Sequence, residues 1–285
     1  MRTLEIATKK NCSNLNKTKP DASQMGDVID DDVLITHGDE PIVVYKMLAK
    51  SEYGYLKKII TDTEQRSSFR VGGVPTVATV YGALPRSASR TDFCRYSRQT
   101  HEEKHLLPLT MKFKDTMCGY YERYLPEIYQ EHVKMVRDTV NQDWLLYGSP
   151  FTTCNFNINF AIPYHYDKGN MAGVFSNVFI MSDGISGGEL VCPEFGVTFK
   201  QRSGALIIFK GYDVLHGVMP ITKMKSSAYR CSVVYYTLKG MCNCLSKTSE
   251  LQRSAESRTG KHRVPNEIRK AKVLEMNKRL LTTKK

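Results

Sequence analysis

From Pro150 to Leu238 the chain is written in short β-branched and aromatic segments: CNFNINFAIPYH, GVFSNVFIM, GELVCP, GVTFK, GALIIF, GVMPI and YRCSVVYYTL. Gly, Asn and Pro interrupt them at intervals of roughly 8 to 12 residues. Runs this short are not stable as isolated hairpins, so they predict an antiparallel sandwich or barrel closed on a shared core. The preceding stretch has a different texture. Pro41 opens the strand-like run PIVVYKML, SEYGYLKKIITDTEQ fits a short helix, and VGGVPTVATVYGALPR from Val71 is again strand-like. Leu109 to Val140 has helical spacing with a break at Leu125-Pro126, which predicts two helices in series. Helices before and strands after is an α+β order. The reading divides the chain into a polar, loosely ordered arm (1–40), a catalytic-sized domain (41–245, helical support 41–149 and strand-rich core 150–245), and a tail (246–285) ending in a basic amphipathic helix, VPNEIRKAKVLEMNKRLL.

A chain of 285 residues with 41% hydrophobic content can bury one sizeable core. Its apolar runs are far shorter than the ~20 residues that cross a bilayer, and the first residues contain no apolar leader, so no membrane association is expected. The expected location is intracellular: cytoplasmic, in the host cytoplasm if the source is viral, or nuclear. The eight cysteines are widely spread and are read as reduced thiols; Cys242-Asn-Cys244 lacks the partner pair that a zinc site needs. The net charge is +12, and residues 246–285 hold twelve Lys and Arg against four Glu, a surplus of eight. Such a tail is either a solvated extension or a grip on a polyanion, most often nucleic acid.

Two of the seven histidines fall in the strand-rich half. His165-Tyr166-Asp167 lies at the end of one predicted strand, where alternate residues share a face, so imidazole and carboxylate project together. His216 follows the apolar strand ALIIF and its turn. Two His and one carboxylate with no fourth protein ligand make the facial triad of non-haem Fe(II) oxygenases, which leaves three positions for a cosubstrate and O2. Arg230 opens the last strand, and alternation gives it one face with Ser232, Val234 and Tyr236. A guanidinium in an apolar strand needs an anion, and the far carboxylate of 2-oxoglutarate is the one expected, with Ser232 adding a hydroxyl. Asn155, Asn157 and Asn159 form a row of amides; Asn157 is placed either beside 2-oxoglutarate or on an exposed face. His101, His105 and His132 are read as surface residues, and Gly187-Gly188 as a sheet turn.

With these residues in view, Phe151 to Gly240 resembles the 2-oxoglutarate/Fe(II) dioxygenases, and among them the TET/JBP family, which oxidises the 5-methyl group of pyrimidines in DNA. The likeness rests on Ser149-Pro150-Phe151-Thr152-Thr153, His165-x-Asp167-x-x-Asn170, Gly187-Gly188-Glu189-Leu190, Pro193-Glu194-Phe195-Gly196, His216-Gly217-Val218 and Arg230-x-Ser232. AlkB-type repair enzymes carry a second Arg where this chain has Tyr236, and prolyl hydroxylases generally use Lys in place of Arg230. The resemblance implies a double-stranded β-helix (jelly-roll) core buttressed by the N-terminal helices. It implies Fe(II) on His165, Asp167 and His216, 2-oxoglutarate on Arg230, and ascorbate as a stimulant. It also implies a flipped base stacked on Tyr236 with its edge at Asn170. Arg86 and Arg90, in a basic loop, are expected either at phosphates or simply solvated. TET-like cytosine oxidases tend to carry His where this chain has Leu238, which leaves 5-methylcytosine and thymine both open. The expected partners are DNA, 2-oxoglutarate and O2, and the expected state is a monomer. Two competing readings are a 2-oxoglutarate hydroxylase acting on RNA, a nucleotide or a protein side chain, and a nucleic-acid-binding jelly roll with an idle metal site.

Overall fold

The computed structural model describes residues 1–62, 67–69, 75–87 and 92–258. One large sheet runs, in spatial order, through Arg2–Glu5, Val33–His37, Glu40–Met47, Ala205–Phe209, Ser176–Asp183, Tyr229–Tyr236, Thr153–Ile158, Pro75–Leu84 and Ser67–Phe69, with Arg95–Tyr96 also paired to Pro75–Leu84. A second sheet faces it and runs through Gly217–Val218, Leu190–Cys192, Val197–Phe199 and Asp27–Ile29. The short ribbon Ile185–Gly187 with Ile221–Lys223 is antiparallel. This is the jelly-roll core predicted for the strand-rich half.

The central strands of the large sheet are buried on both faces, and alternation divides their side chains between two cores. Ala205, Ile207 and Phe209 point toward the second sheet, where they meet Leu190, Cys192, Val197 and Phe199. Leu206 and Ile208 point the other way, into a cluster with Phe113, Met117 and Tyr121. That is why ALIIF is apolar throughout. Burying each large apolar side chain stabilises the fold by about 1.5–3 kcal/mol.

The helical buttress is Leu107–Tyr124 followed by Pro126–Thr139. In the first, Thr110, Phe113, Lys114, Met117, Cys118 and Tyr121 are buried, one face at three- and four-residue spacing. The break falls where it was expected. Leu125, forced out of helical geometry by the proline after it, has φ −139° and ψ 59°, and Pro126 starts the second helix.

Four expectations are corrected. Residues 1–40 are not a loose arm: they supply strands to both sheets, and Val33 and Ile35 are fully buried. The three consecutive acids Asp30, Asp31 and Asp32 in that stretch are paired at its surface. Asp32 accepts the Met47 N–H at 2.8 Å and pairs with Lys46, Asp30 binds Lys200 at 2.9 Å, and Asp31 binds Arg2 at 2.9 Å. The thiols are not all free, because Cys94 and Cys244 form a disulfide with Cα atoms 5.9 Å apart, joining segments too distant in the chain for spacing to reveal the pair. The tail does not begin as a free extension. Helix Lys247–Arg258 is docked through Arg253 on Asp92 at 3.0 Å and the buried Glu250, whereas the amphipathic helix expected after Val264 lies outside the described residues.

The fourth correction concerns His132, which is 1% exposed and packs on Tyr121 and Phe151. The Thr237 hydroxyl donates to the Pro150 carbonyl at 2.6 Å, so His132 Nε2, 2.9 Å from that oxygen, is the donor to it. Burial pushes the imidazole down to about 3. An unfolded chain binds this proton near pH 6.5, so between those values the unfolded state holds more protons and stability is lost as pH falls. His132→Phe is expected to flatten the decline of unfolding free energy from pH 6.5 to 3 by an amount on the order of a few kcal/mol. Denaturant titrations across that range would contradict this if both proteins declined in parallel.

Candidate active site

His165 and His216 face each other across an antiparallel bridge: the His165 N–H donates to the His216 carbonyl at 2.9 Å and the His216 N–H to the His165 carbonyl at 3.1 Å. Their ring centroids are 4.3 Å apart. His165 Nδ1 lies 2.9 Å from the Pro163 carbonyl and His216 Nδ1 2.8 Å from the Val214 carbonyl. Carbonyl oxygens only accept, so both Nδ1 atoms carry hydrogen and both Nε2 lone pairs are left to face the cavity.

Asp167 completes the cluster, with Oδ1 3.3 Å from His165 Nε2 and Oδ2 3.7 Å from His216 Nε2. The three ligand atoms lie within 4.8 Å of one another. Two imidazole lone pairs and a carboxylate turned toward a common point repel unless a cation stands there, so the donor set fits a divalent metal such as Fe(II) and leaves the open positions of a facial triad. The Asp167 N–H donates to the Gly211 carbonyl at 2.8 Å. A Cβ on Gly211 would come within 2.6 Å of Asp167 Oδ2, so only glycine lets the backbone approach that carboxylate.

Arg230, in the strand Tyr229–Tyr236 of the large sheet, is 2% exposed. Its Nε donates to the Gly188 carbonyl at 2.9 Å, and among the described residues it forms no ion pair. Burial pulls the guanidinium down to about 10. Glu189 opposes this shift only from beyond ion-pair distance, and a buried cation with no carboxylate in contact is costly, which makes this the place for an anion. Gly187 and Gly188 do more than turn the chain. Gly188 has φ +84°, and a Cβ there would meet Arg230 Cδ at 2.9 Å, so glycine is what lets the arginine lie flat against the turn. Ser232 and Asn157 are buried beside it, Asn157 Nδ2 lying 3.4 Å from Ser232 Oγ. Asn155 Nδ2 donates to Asn157 Oδ1 at 3.0 Å, while Asn155 Oδ1 is buried without a partner. Asn159 leaves the row. At φ 49° it ends the strand, and its Oδ1 accepts the Arg230 backbone N–H at 2.8 Å.

The substrate-side expectations divide. Tyr236 is half-buried on the Arg230 face, whereas Tyr235 is fully buried on the other, its hydroxyl donating to the Thr110 carbonyl at 2.7 Å. Asn170 is buried, and its Nδ2 is engaged with Asp167 Oδ2 at 3.4 Å and Ser176 Oγ at 3.2 Å. The amide nitrogen thus supports the Asp167 carboxylate. Arg86 is engaged within the protein: its Nη2 pairs with Glu250, a carboxylate 1% exposed that also accepts the Cys94 and Leu245 N–H groups. Arg90 lies outside the described residues. Sequence reasoning missed Gly211, which nothing in the local spacing marks, and the support Asn170 gives Asp167, for which the three-residue spacing was the available sign.

A jelly roll that brings two His and one Asp together, with a buried Arg on its large sheet, defines an oxygenase of the 2-oxoglutarate/Fe(II) class. Residues 81–239 match the family Tet_JBP, the oxygenase domain of the 2OGFeDO superfamily, and the chain belongs to that family. Fe(II) and 2-oxoglutarate are the metal and cosubstrate this membership implies. The chain is 26% identical over 145 residues to the bifunctional helicase and thymine dioxygenase JBP2 of Trypanosoma brucei brucei, a match covering 50% of this chain and 13% of that protein. It is 25% identical over 155 residues to thymine dioxygenase JBP1-A of Trypanosoma cruzi, covering 54% of this chain and 18% of that one. The chain therefore spans well under two thirds of the length of these curated relatives. Among solved structures, NgTET1 in complex with 5mC DNA shares the fold with a TM-score of 0.51 at 14% identity, covering 79% of this chain and 86% of that one.

If Arg230 receives the cosubstrate carboxylate, Arg230→Lys and Gly188→Ala should each weaken 2-oxoglutarate binding by about tenfold or more, the first by losing the two-pronged guanidinium and the second by displacing it. Calorimetric titration of the metal-loaded protein tests this. Unchanged affinity in both variants would remove Arg230 from the cosubstrate site.

Proposed function

We propose that the protein is a 2-oxoglutarate- and Fe(II)-dependent dioxygenase that hydroxylates the 5-methyl group of thymine or 5-methylcytosine in DNA. The observation that carries this reading is the gathering of the His165, Asp167 and His216 ligand atoms within 4.8 Å of one another, in a chain of the Tet_JBP family whose buried Arg230 forms no ion pair among the described residues. The thymine dioxygenases among its relatives favour thymine, and Leu238, where cytosine oxidases tend to carry His, leaves both bases open.

When bound, the iron supplies O2 activation coupled to decarboxylation of 2-oxoglutarate to succinate and CO2, with the second oxygen atom delivered to a substrate C–H bond. The protein's share is placement. His165, Asp167 and His216 would hold the metal and, as three ligands, would leave positions for the cosubstrate and O2. Arg230, backed by the Gly188 carbonyl, takes the distal carboxylate of 2-oxoglutarate, and Ser232 with Asn157 supplies hydroxyl and amide contacts alongside. Asn170 keeps Asp167 turned inward. Tyr236 offers a π-face at the rim, which suits a base extruded from the duplex, since a base inside the stack cannot reach the metal. The basic tail would hold the backbone meanwhile. The reading extends to action as a monomer inside the cell, with ascorbate keeping the iron ferrous.

The test is nucleoside mass spectrometry after incubating the full chain with Fe(II), 2-oxoglutarate, ascorbate and DNA containing both thymine and 5-methylcytosine. A hydroxymethyl base that disappears in His165→Ala is the expected result. Succinate without any modified base would transfer the activity to RNA, a nucleotide or a protein side chain, and no succinate at all would leave a binding protein with an idle site. Tyr236→Ala is expected to cut base oxidation roughly 5- to 100-fold, as loss of a stacking platform does, while sparing substrate-free succinate formation; equal losses in both would count against stacking.

A further inference from the structure

Glu194 stands in the turn Pro193–Phe195 of the smaller sheet and is 5% exposed. Its Oε1 accepts the Tyr166 hydroxyl at 3.0 Å, and its Oε2 accepts the backbone N–H of Leu215 at 2.8 Å. Among the described residues the cation paired with it, Lys9 Nζ, is 3.9 Å from Oε1. A carboxylate this deep is expensive to keep, so what it holds matters. Tyr166 is the residue between His165 and Asp167, and Leu215 is the residue before His216. Both point away from the cavity, into an outer cluster with Tyr164 and Val191. Because neighbours in an extended segment project to opposite sides, gripping Tyr166 and Leu215 from outside sets the position of the three inward-facing groups.

We propose that Glu194 is a positioning residue of the metal triad: one buried carboxylate fastens the segment bearing His165 and Asp167 to the segment bearing His216, and so sets the spacing of the ligand atoms. The inference rests on the reading that these three residues hold Fe(II). Backbone hydrogen bonds between His165 and His216, from Asp167 to Gly211 and from Val218 to Ile162 tie the two segments edge to edge, and Glu194 adds a tie from behind that fixes the outward-facing side of both. Outer groups that orient metal ligands change metal affinity by about 10- to 100-fold when lost.

Anaerobic titration of the full chain with Co(II) alone, followed by its visible ligand-field spectrum, tests this without turnover. Glu194→Ala should weaken Co(II) binding about 10- to 100-fold and alter the spectrum of the saturated site. Glu194→Gln can still accept from Leu215 and donate to the Tyr166 oxygen, so it should stay within about threefold of the parent protein, a rescue that bulk destabilisation does not produce. Tyr166→Phe, which loses one arm only, should fall between them, and it decides the matter if Glu194→Ala does not fold. Parent affinity and spectrum in Tyr166→Phe and in folded Glu194→Ala would overturn the inference. Failure of the parent protein itself to bind one Co(II) would instead overturn the metal-site reading on which it rests.

Discussion

The two-residue period of the strand Tyr229–Tyr236 is the constraint on which the rest depends. Cys231, Val233 and Tyr235 turn toward the helical buttress and bury completely, while Arg230, Ser232 and Tyr236 turn toward the facing sheet. A slip of one residue would drive the guanidinium into the aromatic core and push Tyr235 into the cavity, so the apolar packing of one face enforces the chemistry of the other. The neighbouring strand Thr153–Ile158 is divided the same way, Cys154 and Phe156 to the helices and Asn155 and Asn157 to the cavity, and its pairing with Tyr229–Tyr236 sets Asn157 directly opposite Ser232.

The pair of segments that carries His165, Asp167 and His216, outside the named strands, then needs only to bring those groups together. It does so on backbone hydrogen bonds between His165 and His216, with both Nδ1 atoms held by carbonyls and Asp167 held by Asn170. Glycines admit the close approaches: Gly188 beneath Arg230 and Gly211 beside Asp167. The site is thus carried by sheet interiors, with the positions of its polar groups over-determined by packing.

How much of this was legible beforehand follows from the range of each interaction. Alternation is local, so the shared faces of His165 with Asp167 and of Arg230 with Ser232 and Tyr236 could be read from short segments, as could the helix break at Pro126. Interactions across the chain could not. The strand Val33–His37 is short and flanked by Asp and Gly, and it becomes a strand only because Glu40–Met47 and Arg2–Glu5 lie on either side of it. Arg86, in an Arg-Ser loop, looked equally suited to solvent or phosphate until Glu250 arrived from the tail. The Cys94–Cys244 bond, and the burial of His132 under Thr237, likewise depend on segments that meet only in the folded chain. The charge surplus in the tail therefore has to be divided, since part of it already serves to dock helix Lys247–Arg258.

The central claim is that His165, Asp167 and His216 hold one metal ion while Arg230 holds the far carboxylate of 2-oxoglutarate in the same cavity. An anaerobic crystal structure with Fe(II) and 2-oxoglutarate tests it most directly. The account predicts a metal bonded to His165 Nε2, an Asp167 carboxylate oxygen and His216 Nε2, chelated by 2-oxoglutarate whose distal carboxylate is paired with Arg230. A metal bound without all three residues, or 2-oxoglutarate seated away from Arg230, would contradict it.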